Sequence, residues 1–222
     1  MPLALRQGLS FCIASDRAIF LDLKRDRYFC LSPKANGAFI ALAKETCSKS
    51  ERARLQNILP AELFTSEQGE CVVHEPDESV VSAGSLLDQP LIAPSRIAVG
   101  HALHQLCSVA VQLKLRSLAA IIGVLQDKKF LLMQPNNRNI DATLMEVVAA
   151  HERSTLFLKR HDRCLMRSIA MSRHLLSKGI APTLIFAVMV RPFEAHCWVQ
   201  YGDHVLNDHI ENVRNFTPIL VI

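Results

Sequence analysis

The chain has 222 residues, of which 50% are hydrophobic and 21% charged, with a formal net charge of +4. That composition excludes a disordered chain, and the length suits one large domain or two small ones with real cores. No apolar run approaches the ~20 residues that span a bilayer, and Arg6 and Gln7 interrupt any secretory core before Phe11. A soluble, cytoplasmic protein with no membrane partner is expected.

Residues 1–80 hold 10 Lys/Arg against 11 Asp/Glu, and residues 81–222 hold 15 against 10. Neither part has the basic excess that phosphate binding needs, so no nucleic-acid partner is expected. The seven cysteines are odd in number, scattered, and never spaced Cys-x-x-Cys. Most are therefore expected as small buried hydrophobes in a reducing compartment.

In chain order, Ile19, Leu21 and Leu23 alternate with Ala18, Phe20 and Asp22. After the polar turn 24–27, Phe29 and Leu31 continue the alternation, which predicts a β-hairpin. Ser32-Pro33 starts a helix, with Ser as N-cap, whose apolar stripe is Phe39 and Leu42. The capping box Ser48-x-x-Glu51 opens a second helix, facing inward with Leu55 and Ile58. Pro60 begins a third helical turn, and 71–73 is read as a closing strand. Residues 1–75 thus form a hairpin and small helical bundle. Residues 76–96, with three prolines and little periodicity, read as a linker.

The apolar helical pattern returns over 97–125 as two helices. Within it His101, His104 and Cys107 lie at i, i+3 and i+6. They span almost two turns with no fourth ligand at matching spacing, so a face of a core helix is expected rather than a metal site. Asp141 caps a helix through Leu144, Val147 and Val148, ending near Phe157.

The pattern after Asp162-Arg163-Cys164, with Leu165, Ile169 and Leu176 stopping at Gly179, predicts a helix with Cys164 in its first turn. Unpaired N–H groups and the helix dipole there favour a thiolate and can receive an oxyanion. Strands are expected over 183–190, 195–201 and 204–208. On the second, His196, Trp198 and Gln200 share a face, and Trp198 is placed to shield the histidine from water. Cys197, the rival nucleophile, points to the opposite face. Asp208 lies 12 residues after His196, placed to accept the second ring N–H and fix the tautomer. His204 and His209 are rival bases expected at the rim. Helix-borne Cys164 as nucleophile, His196 as base and Asp208 as orienting acid follow the order of papain-like and transglutaminase-like enzymes.

That triad sets a condition on the hairpin. A two-residue turn at Gly202-Asp203 pairs Tyr201 with His204 and puts Asp208 opposite Cys197. Three-residue loops over 201–203 or 202–204 put it opposite His196 or Trp198. An odd-length loop or a bulge is therefore expected. A regular two-residue turn would transfer the orienting role to Asn207.

Residues 163–171 (Arg-Cys-Leu-Met-Arg-Ser-Ile-Ala-Met), 192–199 (Pro-Phe-Glu-Ala-His-Cys-Trp-Val), 205–208 (Val-Leu-Asn-Asp) and 216–220 (Phe-Thr-Pro-Ile-Leu) resemble the lasso-peptide biosynthesis B proteins. These are transglutaminase-like cysteine peptidases that remove the leader from a ribosomal precursor peptide. The resemblance covers residues from about 97 to the C-terminus, puts nucleophile, base and acid on Cys164, His196 and Asp208, and sets Trp198 and Arg167 near them. Cys197 departs from the family, which usually has Ala between His and Trp. In the N-terminal part Arg27-Tyr28-Phe29-Cys30-Leu31-Ser32 is similar to the tyrosine-containing strand of small leader-recognition domains. Leader contacts are accordingly implied at Arg27, Tyr28, Phe29, Cys30 and Leu31. B proteins also occur as two chains; this one resembles the fused form.

The implied fold is α+β: a small winged-helix-like domain of β-hairpin and three helices, then a papain/transglutaminase-like cysteine peptidase domain, 97–222, with an antiparallel sheet. The implied partners are the lasso precursor peptide and an asparagine-synthetase-like macrolactam cyclase; neither cofactor nor metal is implied. Two alternatives stay open. The same triad serves an acyl transferase when an amine replaces water, and the N-terminal module admits a non-catalytic binding scaffold.

Overall fold

A computed structural model describes residues 5–44, 54–55, 57–64, 82–132, 140–155 and 164–222. The capping box at 48–51 and the strand expected at 71–73 lie outside the described residues.

The N-terminal part is a three-stranded antiparallel sheet in the order β1-β2-β3, made of β1 (Leu9–Ala14), β2 (Arg17–Asp22) and β3 (Arg27–Cys30). The expected hairpin is its second half. Strand β1 went unread, although Ser15 and Asp16, both with positive φ (48° and 58°), form the two-residue turn that joins it to β2. Ser32 caps helix α1 (Pro33–Ala43) as expected, its hydroxyl accepting the Ala35 N–H at 3.5 Å. Pro60 opens a 3-10 turn over Ala61–Leu63.

Both faces of this sheet are covered. Phe11, Phe20 and Phe29 line up across the strands, and Phe11 and Phe20 pack on Phe39 of α1. On the other face Cys12, Ile19, Leu21 and Leu23 enter the same core as the C-terminal half. That two-sided burial explains why β2 alternates between two apolar sets rather than between apolar and polar.

The stretch read as a linker carries structure where it is described. Gly84–Ser85 forms β4, followed by a 3-10 turn over Leu86–Asp88. Then come α2 (Arg96–Leu115), α3 (Leu118–Leu131), α4 (Ile140–Thr155) and α5 (Cys164–Ser177). Ser95 and Ser117 cap α2 and α3. Helix α5 ends in a Schellman motif: Ile180 N–H donates to Leu175 O at 3.0 Å and Gly179 N–H to Leu176 O at 3.1 Å, with Gly179 at φ 80°.

The remaining elements are β5 (Thr183–Met189), β6 (Glu194–Tyr201), β7 (His204–Val205), α6 (Ile210–Val213) and β8 (Thr217–Val221). The second sheet runs β4-β7-β6-β5-β8. Its pairs are antiparallel, as expected, except β4–β7 at the edge, which is parallel. Helix α5 lies across this sheet, with Ile169, Ala170 and Leu175 buried against Phe186, Val199 and Ile219. The chain is thus α+β. Among the described residues no helix is long and apolar enough to cross a membrane.

Candidate active site

Helix α5 begins at Cys164, so the sulfur sits where helical N–H groups lack intrahelical partners. The Leu165 and Cys197 N–H groups both donate to it, and its side chain is hydrogen-bonded to His196. Burial alone raises the thiol pKa. The His196 hydrogen bond and charge, with the two N–H groups, outweigh burial and hold the thiol below its ordinary value.

His196 reaches the pocket from β6. Its Nε2 is 2.5 Å from Asp208 Oδ2, which leaves Nδ1 for Cys164. Burial lowers its pKa, but Asp208 and Cys164 more than reverse this and push it up to about 9. Asp208 is raised by burial yet held below the usual carboxylate range by His196, by the Asn212 amide at 2.8 Å and by the His209 N–H at 2.7 Å. The Cys164 and His196 shifts both favour the thiolate–imidazolium form of the pair over the neutral one.

The hairpin between β6 and β7 differs from expectation. Gln200 pairs with Val205 and Tyr201 with His204, a regular two-residue turn with Gly202 at φ 59°. Even so Asp208, not Asn207, meets His196. The reason is that the ladder stops. Its last rung is Leu206 N–H to Val199 O at 2.8 Å, after which the chain bends away. The side chain of Asn207 replaces the next rung, accepting the Val199 N–H through Oδ1 at 2.8 Å and donating from Nδ2 to Ser168 Oγ at 2.8 Å. The Cys197 peptide, freed from β7, turns its N–H to Cys164 and its carbonyl to Ser168 Oγ at 2.8 Å. A strand expected to run to 208 ends at 205, and its early end lets helix α5 dock on β6.

Trp198 is buried with its ring 6.0 Å from that of His196, and Phe216, which entered the sequence reading only as the start of the 216–220 motif, lies 5.0 Å from the same ring. Arg167, one turn after Cys164, reaches Glu152 of α4 at 3.3 Å. Cys164, His196, Asp208, Arg167, Glu152 and Glu194 line one cleft of about 390 Å3. Glu152 and Ser168 carry no local signal and are brought in only by the packing of α4, α5 and β6, while Asn207, expected to orient His196 if the turn had two residues, bonds Val199 and Ser168 instead.

The rivals lie elsewhere. Cys197 is 3% exposed in the core, and burial pushes its thiol pKa well up. His204 contacts Asp203 and His209 contacts Asp88, both at 2.7 Å on the exposed surface. His101, His104 and Cys107 are exposed on α2, and the described residues hold no cluster able to bind a metal.

Of the residues implied for leader contact, Arg27, Tyr28, Phe29 and Cys30 make up β3, an edge strand, and Leu31 follows it against α1. Phe29 stacks on Phe20 at 5.1 Å with the Arg27 guanidinium 5.7 Å from its ring. Cys30 is exposed. Tyr28 turns the other way, onto the core shared with the C-terminal half. Its ring lies 5.9 Å from Phe193, just before β6, and its phenol is raised by burial and by nearby Cys197 and Cys164.

A family model described as the transglutaminase-like superfamily matches residues 106–221. No curated protein and no solved structure matches the chain.

Proposed function

Because the chain belongs to the transglutaminase-like superfamily, whose fold is cysteine-peptidase-like, we propose that it is a cysteine endopeptidase that cuts the leader from a lasso precursor peptide. The observation that carries the reading is the chain of contacts from Cys164 through His196 to Asp208, lining one cleft. Cys164 thiolate attacks the scissile carbonyl, and the oxyanion develops beside the N–H groups at the start of α5. The His196 imidazolium gives its proton to the departing amine, leaving a thioester on Cys164. Neutral His196 then takes a proton from water, which attacks the thioester and frees the leader carboxylate. Asp208 holds the ring in the tautomer both steps need.

The leader would add as a strand along the edge of β3 that no described strand pairs with, where main-chain hydrogen bonds give affinity and side-chain pockets give selectivity. Tyr28, between that strand and Phe193, would mark the path to the cleft. The released core amine is the nucleophile an asparagine-synthetase-like cyclase would couple to a side-chain carboxylate, so that cyclase is the expected partner, in the cytoplasm.

The test is cleavage of a synthetic precursor in H2(18)O, followed by mass spectrometry. One heavy oxygen in the new leader carboxylate is expected. A product carrying an added amine, and none carrying added water, would replace the hydrolase with an acyl transferase. No covalent chemistry at Cys164 at all would leave a binding scaffold.

A further inference from the structure

The acid of the triad is held by a segment that lies before the family match. Ala83 N–H donates to Asp203 O at 2.8 Å, and Gly84 and Ser85 run beside His204 and Val205 as the parallel edge strand. Ser82 Oγ donates to the Gln200 amide oxygen of β6 at 2.9 Å. The segment is thereby fixed on both sides of the β6–β7 turn.

Two contacts go further, to the bend that carries Asp208. Ser85 is 3% exposed, and its hydroxyl donates to the main-chain carbonyl of Asp208 at 2.5 Å while accepting the Leu87 N–H at 3.0 Å. Both capacities of the hydroxyl are used, so its direction is set. Three residues on, Asp88 accepts from Nδ1 of His209 at 2.7 Å. These contacts matter because the sheet has stopped holding this part of the chain. After Leu206 the ladder to β6 ends, and Asp208 reaches His196 from a bend, not from a strand. A bend without ladder bonds is the kind of element that drifts by an ångström unless side chains secure it.

We propose that Ser85 and Asp88 are positioning residues, whose hydrogen bonds to the Asp208 carbonyl and the His209 ring hold the bend that aims the Asp208 carboxylate at His196. The stretch that reads as a linker is then a working part of the catalytic unit. A catalytic half cut at the family boundary would lack it. The inference rests on the hydrolase reading for its kinetic arm only; its other arm follows Cys164 directly.

The test uses the full chain with Ser85→Ala, Asp88→Ala and Asp88→Asn, the last keeping an acceptor for His209. Kinetics on a synthetic precursor are paired with the pH dependence of Cys164 alkylation by iodoacetamide, read from the Cys164 peptide by mass spectrometry. For Ser85→Ala and Asp88→Ala, kcat should fall about ten- to hundredfold with KM little changed, as expected for a misaimed catalytic group. Loosening Asp208 removes a group that raises His196, so the alkaline limit of the ion pair should move to lower pH. Asp88→Asn should restore much of the rate. Because Asp88 is on the surface, its variants report even if Ser85→Ala folds poorly. Alkylation profiles matching the wild type in both alanine variants would overturn the proposal, whatever happens to the melting temperature. If the profiles shift in a protein that cuts no peptide, the positioning role stands and the peptidase reading falls.

Discussion

Ser168, one turn into helix α5, donates its hydroxyl to the main-chain carbonyl of Cys197 at 2.8 Å. Four residues earlier on the same helix face, Cys164 takes the N–H of that same residue. One residue of β6 therefore meets the helix through both of its peptide groups, and the distance of the Cys164 sulfur from the His196 strand is set by the backbone.

The network that holds this contact ends in Asn207, which satisfies Val199 N–H and Ser168 Oγ at once. Asn207→Ala should leave both buried groups without partners, at a cost of about 1–3 kcal/mol. Asn207→Asp keeps the acceptor for Val199 but not the donor to Ser168, and should cost less. Urea unfolding with coincident fluorescence and circular dichroism measures both. An unchanged midpoint for the alanine variant would show that the ladder does not end on Asn207.

Single changes in the triad give the second prediction. Cys164→Ala and His196→Ala should each lower kcat/KM for precursor cleavage at least about ten-thousandfold with the fold intact, because the groups act as a unit. Asp208→Asn should retain more, since it still places a side chain against the ring. In the wild type the active ion pair should persist until pH approaches 9, where His196 loses its proton. Complete precursor cleavage by the Cys164 variant, seen by mass spectrometry, would remove the triad.

Much of this site was legible because its chemistry is local. Cys164 at a helix start and His196 beside Trp198 on a strand are signals of spacing and of cap position. Asp208 was found by distance along the chain, but the loop expected to deliver it was wrong. Register arguments assume that a strand continues, and β7 stops after two residues because Asn207 substitutes a side chain for a peptide. Strand β4 was read as linker for a similar reason. Two residues in a parallel edge pair carry no alternation to detect. Strand β1 was missed because β2 is apolar on both faces, which hides which neighbour each face needs.

The third prediction concerns acid stability. His151 and His174 are buried together, Nε2 of the first 3.3 Å from Nδ1 of the second. Burial is the main cause that lowers them, to about 3 for His151 and about 4 for His174. The charges of His174 and Arg167 add to this at His151, those of Lys178 and His101 add to it at His174, and Glu146 opposes it at His174. Between about 4 and the ordinary 6.5 the unfolded chain binds protons that the folded chain refuses. Stability should therefore fall as pH drops through that window and be flat in this respect above it. His196 acts oppositely. Its raised value contributes stability that is full below 6.5 and lost as pH rises through about 9. Unfolding free energy measured against pH should be highest between these limits. In His151→Gln the acid-side slope should fall by up to about 1.4 kcal/mol per pH unit, the limit for one proton. A slope equal to the wild type would mean that the pair is not held neutral.

The last prediction tests the edge of β3. Cys30 is exposed on that strand, while Cys107 is exposed on α2, away from it. A leader peptide adding as a fourth strand would lie about 4.8 Å from β3 and place its side chains beside Cys30. Saturating leader should slow alkylation of Cys30 several-fold and leave Cys107 unchanged. The intact chain is the right sample, because Ile19 and Leu21 of the same sheet, and Leu23 just after it, are buried in the core shared with the C-terminal half. An isolated N-terminal fragment would expose that face, and binding to it would report apolar surface rather than the strand edge. Binding of leader to the whole protein with Cys30 and Cys107 equally reactive would move the recognition site off β3, and with it the path past Tyr28 to Cys164.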